Sequence, residues 1–175
     1  MKLKTALKKR ATTLAIWAMV AALAALAVTW LPHAGNETAP ETEFVLLDGR
    51  KISLSALRGR PVLVSFWATS CPPCIEELPD LVRLYNELHP QGFELIAVAA
   101  AYDPPTQVQS FATSHALPYP VALDLDGKVA QAFGGVPYIP AAFVVDRDGV
   151  IAYSQTGKLD ITRARRIILK SLPRG

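Results

Sequence analysis

The chain of 175 residues contains only two cysteines, and they stand three positions apart in the segment Cys71-Pro72-Pro73-Cys74. Two thiols at this spacing can pass between a dithiol and a disulfide, which is the chemistry of thiol–disulfide exchange. The exchange begins when a thiolate attacks a disulfide sulfur, so its rate depends on which cysteine is held as a thiolate.

The predicted elements on either side of the pair favour Cys71 as that thiolate. Residues 61–67 form a β-branched and aromatic run typical of a buried strand, and residues 75–88 have helical periodicity. Cys71 then stands at or just before a helix start, where unpaired backbone N–H groups and the helix dipole lower the pKa of a thiol. We expect Cys71 to be exposed and Cys74, one turn inside the helix, to be more buried.

A structural disulfide and a metal pair are the other interpretations of the two cysteines. A bond across two intervening residues closes so small a loop that it removes little entropy from the unfolded chain. A metal would need further ligands, and His33, His89 and His115 have no ligand spacing to one another. We therefore predict redox activity, no metal, and no cofactor beyond the Cys71–Cys74 disulfide itself.

One apolar run, residues 11–31, is long enough to cross a bilayer. The five basic residues before it are Lys2, Lys4, Lys8, Lys9 and Arg10. By the positive-inside rule, residues 1–10 are cytoplasmic and everything after the run is outside. A cleaved signal peptide, with a site such as Ala25-Leu26-Ala27, is the alternative, but its apolar region is usually about 7–15 residues. We predict an uncleaved signal anchor and a single pass through the inner membrane.

The formal net charge of +3 belongs to this N-terminal segment. Without its five cations, 13 basic residues face 15 acidic ones, a net charge of −2. The folded part has no basic excess to attract phosphates, so we expect no nucleic-acid partner. It faces the periplasm, where disulfides can form.

After the anchor, the polar residues 32–43 predict a flexible tether, and residues 44–172 predict one domain. Apolar runs and Asp-Gly turns predict strands near 44–47, 52–54, 61–67, 93–101, 119–123, 142–146 and 150–153, with a helical turn at 55–59. Further helices are expected at 104–116, 129–133 and 161–172. This order predicts an α/β sandwich with a mixed central sheet.

Three segments together resemble one known family. They are Phe66-Trp67-Ala68-Thr69 before the cysteines, Ile75-Glu76-Glu77-Leu78-Pro79 after them, and Gly135-Val136-Pro137-Tyr138-Ile139-Pro140 before residues 142–146. With the cysteine pair, they resemble the thioredoxin superfamily and, more narrowly, the membrane-anchored exported disulfide reductases of the TlpA/ResA type, some of which act in cytochrome c biogenesis. The resemblance covers roughly residues 40–172. It implies a thioredoxin-like three-layer sandwich and thiol-disulfide oxidoreductase activity.

The resemblance also assigns roles to residues. Cys71 and Cys74 match the redox pair, and Glu77, one turn beyond Cys74, matches an acid that handles the thiol proton. Pro140 matches a cis-proline that faces the pair, and Ile139 before it would offer its backbone to an extended client peptide.

Trp67 and Ser70, which precede the pair, and Pro72, which lies between the two cysteines, complete the predicted client-contact set. Ser70 departs from the family, which more often has Trp there, and Ala141-Ala142 replace hydroxyl residues. Ser65 stands where thioredoxin itself has a buried acid.

The resemblance implies partners as well. Protein thiols and disulfides are the expected clients, among them the CxxCH thiols of apocytochrome c, and a membrane thiol transporter is the expected electron donor. We expect a monomer.

Two other functions remain open at this point. A peroxiredoxin has a Thr three residues before its peroxidatic cysteine, whereas Thr69 is two before Cys71. A copper-delivery protein of related fold needs a longer cysteine spacing and a facing His, and Pro140 occupies the facing position.

Overall fold

The computed structural model describes residues 37–173, and its two central strands explain why the middle of the sequence is so apolar. The strands β3 and β4, Val62–Trp67 and Glu94–Ala99, are buried at all six of their positions. They pair in parallel, from Val62 beside Glu94 to Trp67 beside Ala99. A strand that is covered on both faces cannot alternate apolar and polar residues, which gives the continuous runs seen in the sequence.

Seven strands and four α-helices make up the domain. The remaining strands are β1 Glu43–Leu46, β2 Lys51–Ser53, β5 Val121–Leu123, β6 Ala141–Val145 and β7 Ile151–Thr156. The helices are α1 Pro72–Leu88, α2 Pro105–Ser114, α3 Lys128–Ala132 and α4 Ile161–Ser171, with short 3₁₀ turns at Ser55–Leu57 and His89–Gln91. Each strand and helix predicted for residues 44–172 is therefore present, with bounds that differ by a few residues.

The strands form one sheet in the order β2-β1-β5-β4-β3-β6-β7. The neighbours β3, β4 and β5 are parallel, and the other pairs are antiparallel, so the predicted mixed sheet is confirmed. One face packs against α1, α2 and α4, and the other packs against α3 and the first 3₁₀ turn. The result is a three-layer sandwich with the sheet in the middle.

The sheet brings three loops to one edge. Because β3 and β4 are parallel, the loops that follow Trp67 and Ala99 leave from the same end of the sheet. The antiparallel strand β6 starts at that end, since Ala141 pairs with Phe66. The cysteine pair, the loop after β4 and Pro140 therefore share this edge.

The predicted tether ends earlier than residue 43. Ala39 is buried and donates its N–H to the Gly149 carbonyl at 2.9 Å, and Ile151 donates to the Glu37 carbonyl at 2.8 Å. Glu43 is already the first residue of β1. Residues 37–43 are polar in composition, but their backbone is bound to the β6–β7 turn, so the folded domain begins before residue 44.

Within residues 37–173, no helix has the length and apolar character that a bilayer crossing requires. The predicted basic segment 1–10, the predicted anchor 11–31 and the first part of the tether lie outside the described residues.

Candidate active site

The two cysteines are joined by a disulfide, with an S–S distance of 2.03 Å, at the start of α1. Cys71 is the N-cap residue, and its carbonyl accepts the N–H groups of Cys74 at 3.0 Å and Ile75 at 3.1 Å. The predicted position at the helix start is thus confirmed. The expected contrast in exposure is small, because Cys71 is 8% exposed and Cys74 2%. Only a narrow part of Cys71 is open to a client.

The helix is built so that its first turn leaves the pair accessible. Pro72 and Pro73 occupy the first two helical positions, where a missing N–H removes no hydrogen bond, and both are exposed. No acidic residue lies in the first turn, so no carboxylate on this helix competes with a thiolate for the N-terminal dipole. Pro79 lies inside α1, and the helix continues through it to Leu88.

The loop before Cys71 is held by a carboxylate from the loop after β4. Asp103 is 4% exposed, and it accepts the backbone N–H of Thr69 at 2.6 Å and the Thr69 hydroxyl at 2.7 Å. Thr69 is two residues before Cys71, and the Cys71 N–H donates to the Ala68 carbonyl at 3.2 Å. The turn that carries Cys71 is therefore fixed from outside its own helix.

Glu77 is a buried carboxylate on the same helix as the disulfide. It lies three residues beyond Cys74, is 5% exposed, and accepts the backbone N–H of Leu159 on Oε1 at 2.5 Å. Burial raises the pKa of Glu77 above its usual value, although the Leu159 hydrogen bond and the Lys158 charge oppose the rise. This desolvation makes the Glu77 carboxyl group easier to protonate than an exposed carboxylate.

The neighbouring acid, Glu76, has a different environment. Its side chain is exposed and lies 3.5 Å from the Lys158 ammonium. An exposed ion pair of this kind contributes little to stability. Glu76 is therefore a solvated helix carboxylate, and it provides a matched control for Glu77.

The Ile139–Pro140 peptide bond is cis, as the family resemblance implies. Pro140 is buried, and its carbonyl accepts the Gly157 N–H at 2.7 Å. Ile139 is half-buried, and within residues 37–173 its N–H and C=O form no backbone hydrogen bond. These two groups are available to pair with an added strand.

The remaining predicted client contacts divide into two kinds. Ser70 and Pro72 are exposed beside the disulfide and can touch a client. Trp67 is 4% exposed, and its ring packs against Phe111 with 5.3 Å between centroids. The prediction of substrate contact by Trp67 is therefore corrected, since the last residue of a strand covered on both faces has almost no surface left.

An apolar cavity of about 430 Å³ adjoins Ile139. Two of its lining residues, Tyr102 and Tyr138, are more than half exposed, which is unusual for aromatic side chains of this size. A client that pairs with Ile139 has apolar surface beside it on this side of the loop.

Sequence reasoning missed two groups that hold the site, Asp103 and the backbone N–H of Leu159. A signal for Asp103 exists, because it follows β4 just as Thr69 follows β3, and the carboxyl ends of adjacent parallel strands meet at one edge. For Leu159 no sequence signal exists, since a backbone N–H carries no residue type.

Ser65, on β3, is buried beside Ala142 of β6. Among the buried carboxylates, Glu77 lies on the helix that carries the pair, and Asp103 binds the loop before Cys71. Within residues 37–173, no three His, Cys, Asp or Glu side chains come together as a metal-binding group.

Comparison with known proteins gives a consistent result. A sequence profile of the Redoxin family matches residues 34–168. The thiol-disulfide oxidoreductase ResA of Halalkalibacterium halodurans is 37% identical over 129 residues, which cover 73% of this chain and 70% of the relative. ResA of Bacillus thuringiensis subsp. konkukian is 31% identical over 138 residues, 79% of each chain.

A solved structure supports the same fold. A thiol:disulfide interchange protein of the thioredoxin family from Chlorobium tepidum superposes with a TM-score of 0.71 at 28% sequence identity. The match covers 80% of this chain and 99% of that one. The predicted thioredoxin-like fold is thereby confirmed.

Proposed function

The chain belongs to the Redoxin family, among the ResA-type thiol-disulfide oxidoreductases, and we propose on this basis that it is an exported, membrane-tethered reductase of protein disulfides. The observation that carries the proposal is the Cys71–Cys74 disulfide at the N-terminus of α1, with the available peptide groups of Ile139 at the same edge. The reducing direction is supported by the resemblance to the disulfide reductases of this family.

The reaction starts from the reduced protein. The Cys71 thiolate attacks one sulfur of a client disulfide, a Cys71–client bond forms, and the other client sulfur leaves as a thiolate that takes a proton from solvent. The client lies along Ile139, with its cysteine held at the exposed part of Cys71 beside Ser70.

The second step resolves the mixed disulfide. Cys74 passes its proton to the Glu77 carboxylate and attacks Cys71 Sγ, so the Cys71–Cys74 bond forms and the Cys71–client bond breaks. The client sulfur leaves as a thiolate that takes a proton from solvent, which completes the client dithiol. Two electrons have moved to the client, and the protein is left with the disulfide described above. A dithiol donor, which we infer to be a membrane thiol transporter, restores the reduced form.

Glu77 suits this step because only one of its two oxygens is needed to hold the Leu159 loop. Oε1 accepts the Leu159 N–H, and within residues 37–173 Oε2 forms no hydrogen bond. A proton taken up on Oε2 leaves the Leu159 hydrogen bond intact. The carboxylate can therefore titrate without releasing the loop that it holds.

The assignment of the two cysteines is tested with an oxidised peptide that carries a CxxCH motif, the client chemistry of apocytochrome c. The reduced full-length protein should convert it to the dithiol, Cys71→Ser should be inactive, and Cys74→Ser should accumulate a mixed disulfide because resolution is lost. Each variant is the control for the other. If alkylation near neutral pH modified Cys74 before Cys71, or if Cys71→Ser were the variant that trapped the peptide, the assignment would be wrong.

The location is a proposal of its own. We propose that residues 11–31 remain as an inner-membrane anchor and that the domain works on the periplasmic side. The support is the 21-residue apolar run with its five preceding cations. N-terminal sequencing of the protein isolated from membranes should give an intact N-terminus, whereas a mature protein that begins near residue 28 or 35 would contradict the anchor.

A further inference from the structure

We propose that Asp103 is a positioning residue, which holds Cys71 at the N-terminus of α1 through Thr69. The inference rests on the proposed role of Cys71 as the attacking thiol, and it concerns a carboxylate on a different loop. Asp103 lies in the loop between β4 and α2, which joins two elements that carry neither cysteine.

The contact joins two loops that are far apart in sequence. Both Asp103 oxygens are used, one by the Thr69 N–H and the other by the Thr69 hydroxyl, across 34 residues of chain. A carboxylate that accepts two hydrogen bonds from one residue fixes that residue in orientation as well as in position.

Further backbone bonds lock the same two loops. Ala100 donates its N–H to the Trp67 carbonyl at 2.9 Å, and Asp103 donates its own N–H to the Ala100 carbonyl at 2.9 Å. The Asp103 carboxylate is thus held at a defined distance from the end of β3. The Asp103 carboxylate and the Thr69 hydroxyl are the side-chain groups in this set, so each can be removed by a substitution.

Cys71 depends on this contact because Thr69 lies in the turn that leads into α1. Cys71 donates its N–H to Ala68, and Thr69 lies inside that turn. Cys71 is also the N-cap of α1, so its sulfur gains from the helix N–H groups and dipole only while the turn keeps its direction. Loss of the Thr69 contact lets the turn move and reduces the thiolate fraction of Cys71.

If Asp103 acted through its charge, its removal would change the reactivity of Cys71 in the opposite direction. A negative charge near Cys71 disfavours its thiolate, so if the charge were what mattered, its removal would make Cys71 more reactive. Asp103→Asn separates the two roles, because its Oδ1 can accept the Thr69 N–H while its Nδ2 donates to the Thr69 hydroxyl. The variant keeps both contacts and removes the charge.

The test is the rate at which iodoacetamide alkylates Cys71 in the reduced full-length protein, measured against pH and assigned by peptide mapping. Asp103→Ala should slow the reaction near neutral pH by about 10-fold and move its pH profile upward, since the thiolate is the reacting form. Asp103→Asn should stay within about twofold of the wild type by the same argument. A merely structural residue would leave the pH profile unmoved.

A second pair of variants covers the case in which Asp103→Ala does not fold. Thr69→Ser keeps the hydroxyl and should react as the wild type does, whereas Thr69→Val loses it and should react about threefold more slowly. Equal rates for Asp103→Ala and the wild type, or for Thr69→Val and Thr69→Ser, would overturn the proposal. So would an Asp103→Asn variant as slow as Asp103→Ala. Mapping that finds Cys74 alkylated first would instead overturn the proposed function.

Discussion

Two buried carboxylates belong to the surroundings of the cysteine pair, Asp103 bound to the loop before Cys71 and Glu77 on the helix after Cys74, and they are held in different ways. Asp103 binds both the N–H and the hydroxyl of Thr69, and each of its oxygens has a donor. Glu77 binds one donor, the Leu159 N–H, and burial raises its pKa. The first has a donor on each oxygen, and within residues 37–173 the second has a donor on one oxygen.

The difference indicates which buried acid can take part in proton transfer. Two hydrogen bonds from one residue fix the orientation of that residue, so Asp103 acts by geometry. A desolvated carboxylate with one unused oxygen accepts a proton at little cost. Burial alone does not separate the two roles, whereas the hydrogen-bond partners of each acid do.

The largest expected effect comes from Glu77→Gln, which keeps the size and the Leu159 hydrogen bond and removes the titration. Resolution of a preformed mixed disulfide should slow by roughly 10- to 1,000-fold, as expected for one acid–base group. The exposed neighbour provides the control, since Glu76→Gln should resolve at the wild-type rate. A stopped-flow measurement between about pH 6 and about pH 9 gives both rates. Equal rates for Glu77→Gln and the wild type would mean that solvent, and not Glu77, takes the Cys74 proton during resolution.

Substitutions of the two acids should also change the free energy of unfolding in opposite directions. Asp103→Ala leaves two donors of Thr69 without a partner and should lower the free energy of unfolding by about 1–3 kcal/mol. Glu77 has a raised folded-state pKa, so its contribution to stability falls as pH rises from about 4.5 through that pKa.

Glu77→Gln should therefore match the wild type in acid and exceed it by a few degrees in melting temperature at mildly basic pH. Thermal unfolding of the oxidised proteins at several pH values checks both signs. A Glu77→Gln variant that is less stable than the wild type at every pH would contradict the desolvation argument.

The smallest expected effect comes from Lys158→Gln, which tests how a neighbouring charge sets the pKa of Glu77. The Lys158 ammonium lowers the pKa of Glu77, so Lys158→Gln should raise it further. The midpoint of the pH–rate profile for resolution should then move upward by less than about one pH unit, because an exposed lysine is screened by solvent. Salt should move the wild-type midpoint in the same direction and leave the variant nearly unchanged. A downward shift would mean that another group sets the profile.

Much of the fold could be predicted because its signals are local. The continuous apolar runs gave β3 and β4, and the Asp-Gly turns at 48–49 and 148–149 gave the pairs β1–β2 and β6–β7. The place of Cys71 at a helix start followed from the same kind of signal. The docking of residues 37–43 did not, because it depends on backbone hydrogen bonds from residues of polar composition.

The site shows the same division between local and long-range information. Cys71, Cys74 and Glu77 stand within seven residues of one helix start, and their order and spacing were visible in the sequence. The partners that hold them come from 34 and 82 residues away, and only the folded sheet brings them together. Trp67 belongs to the predicted buried strand, but the residue that its ring packs against, Phe111, comes from a helix that is remote in sequence.

The central claim is that the Cys71–Cys74 pair donates electrons to client disulfides. Its most direct test is the reduction potential of the pair, measured by equilibration of the full-length protein with glutathione or dithiothreitol buffers. The account predicts a value close to the roughly −270 mV of thioredoxin, because a reductant must have a disulfide that is hard to reduce. A value close to roughly −120 mV, typical of a strong oxidant, would contradict it and reverse the proposed direction.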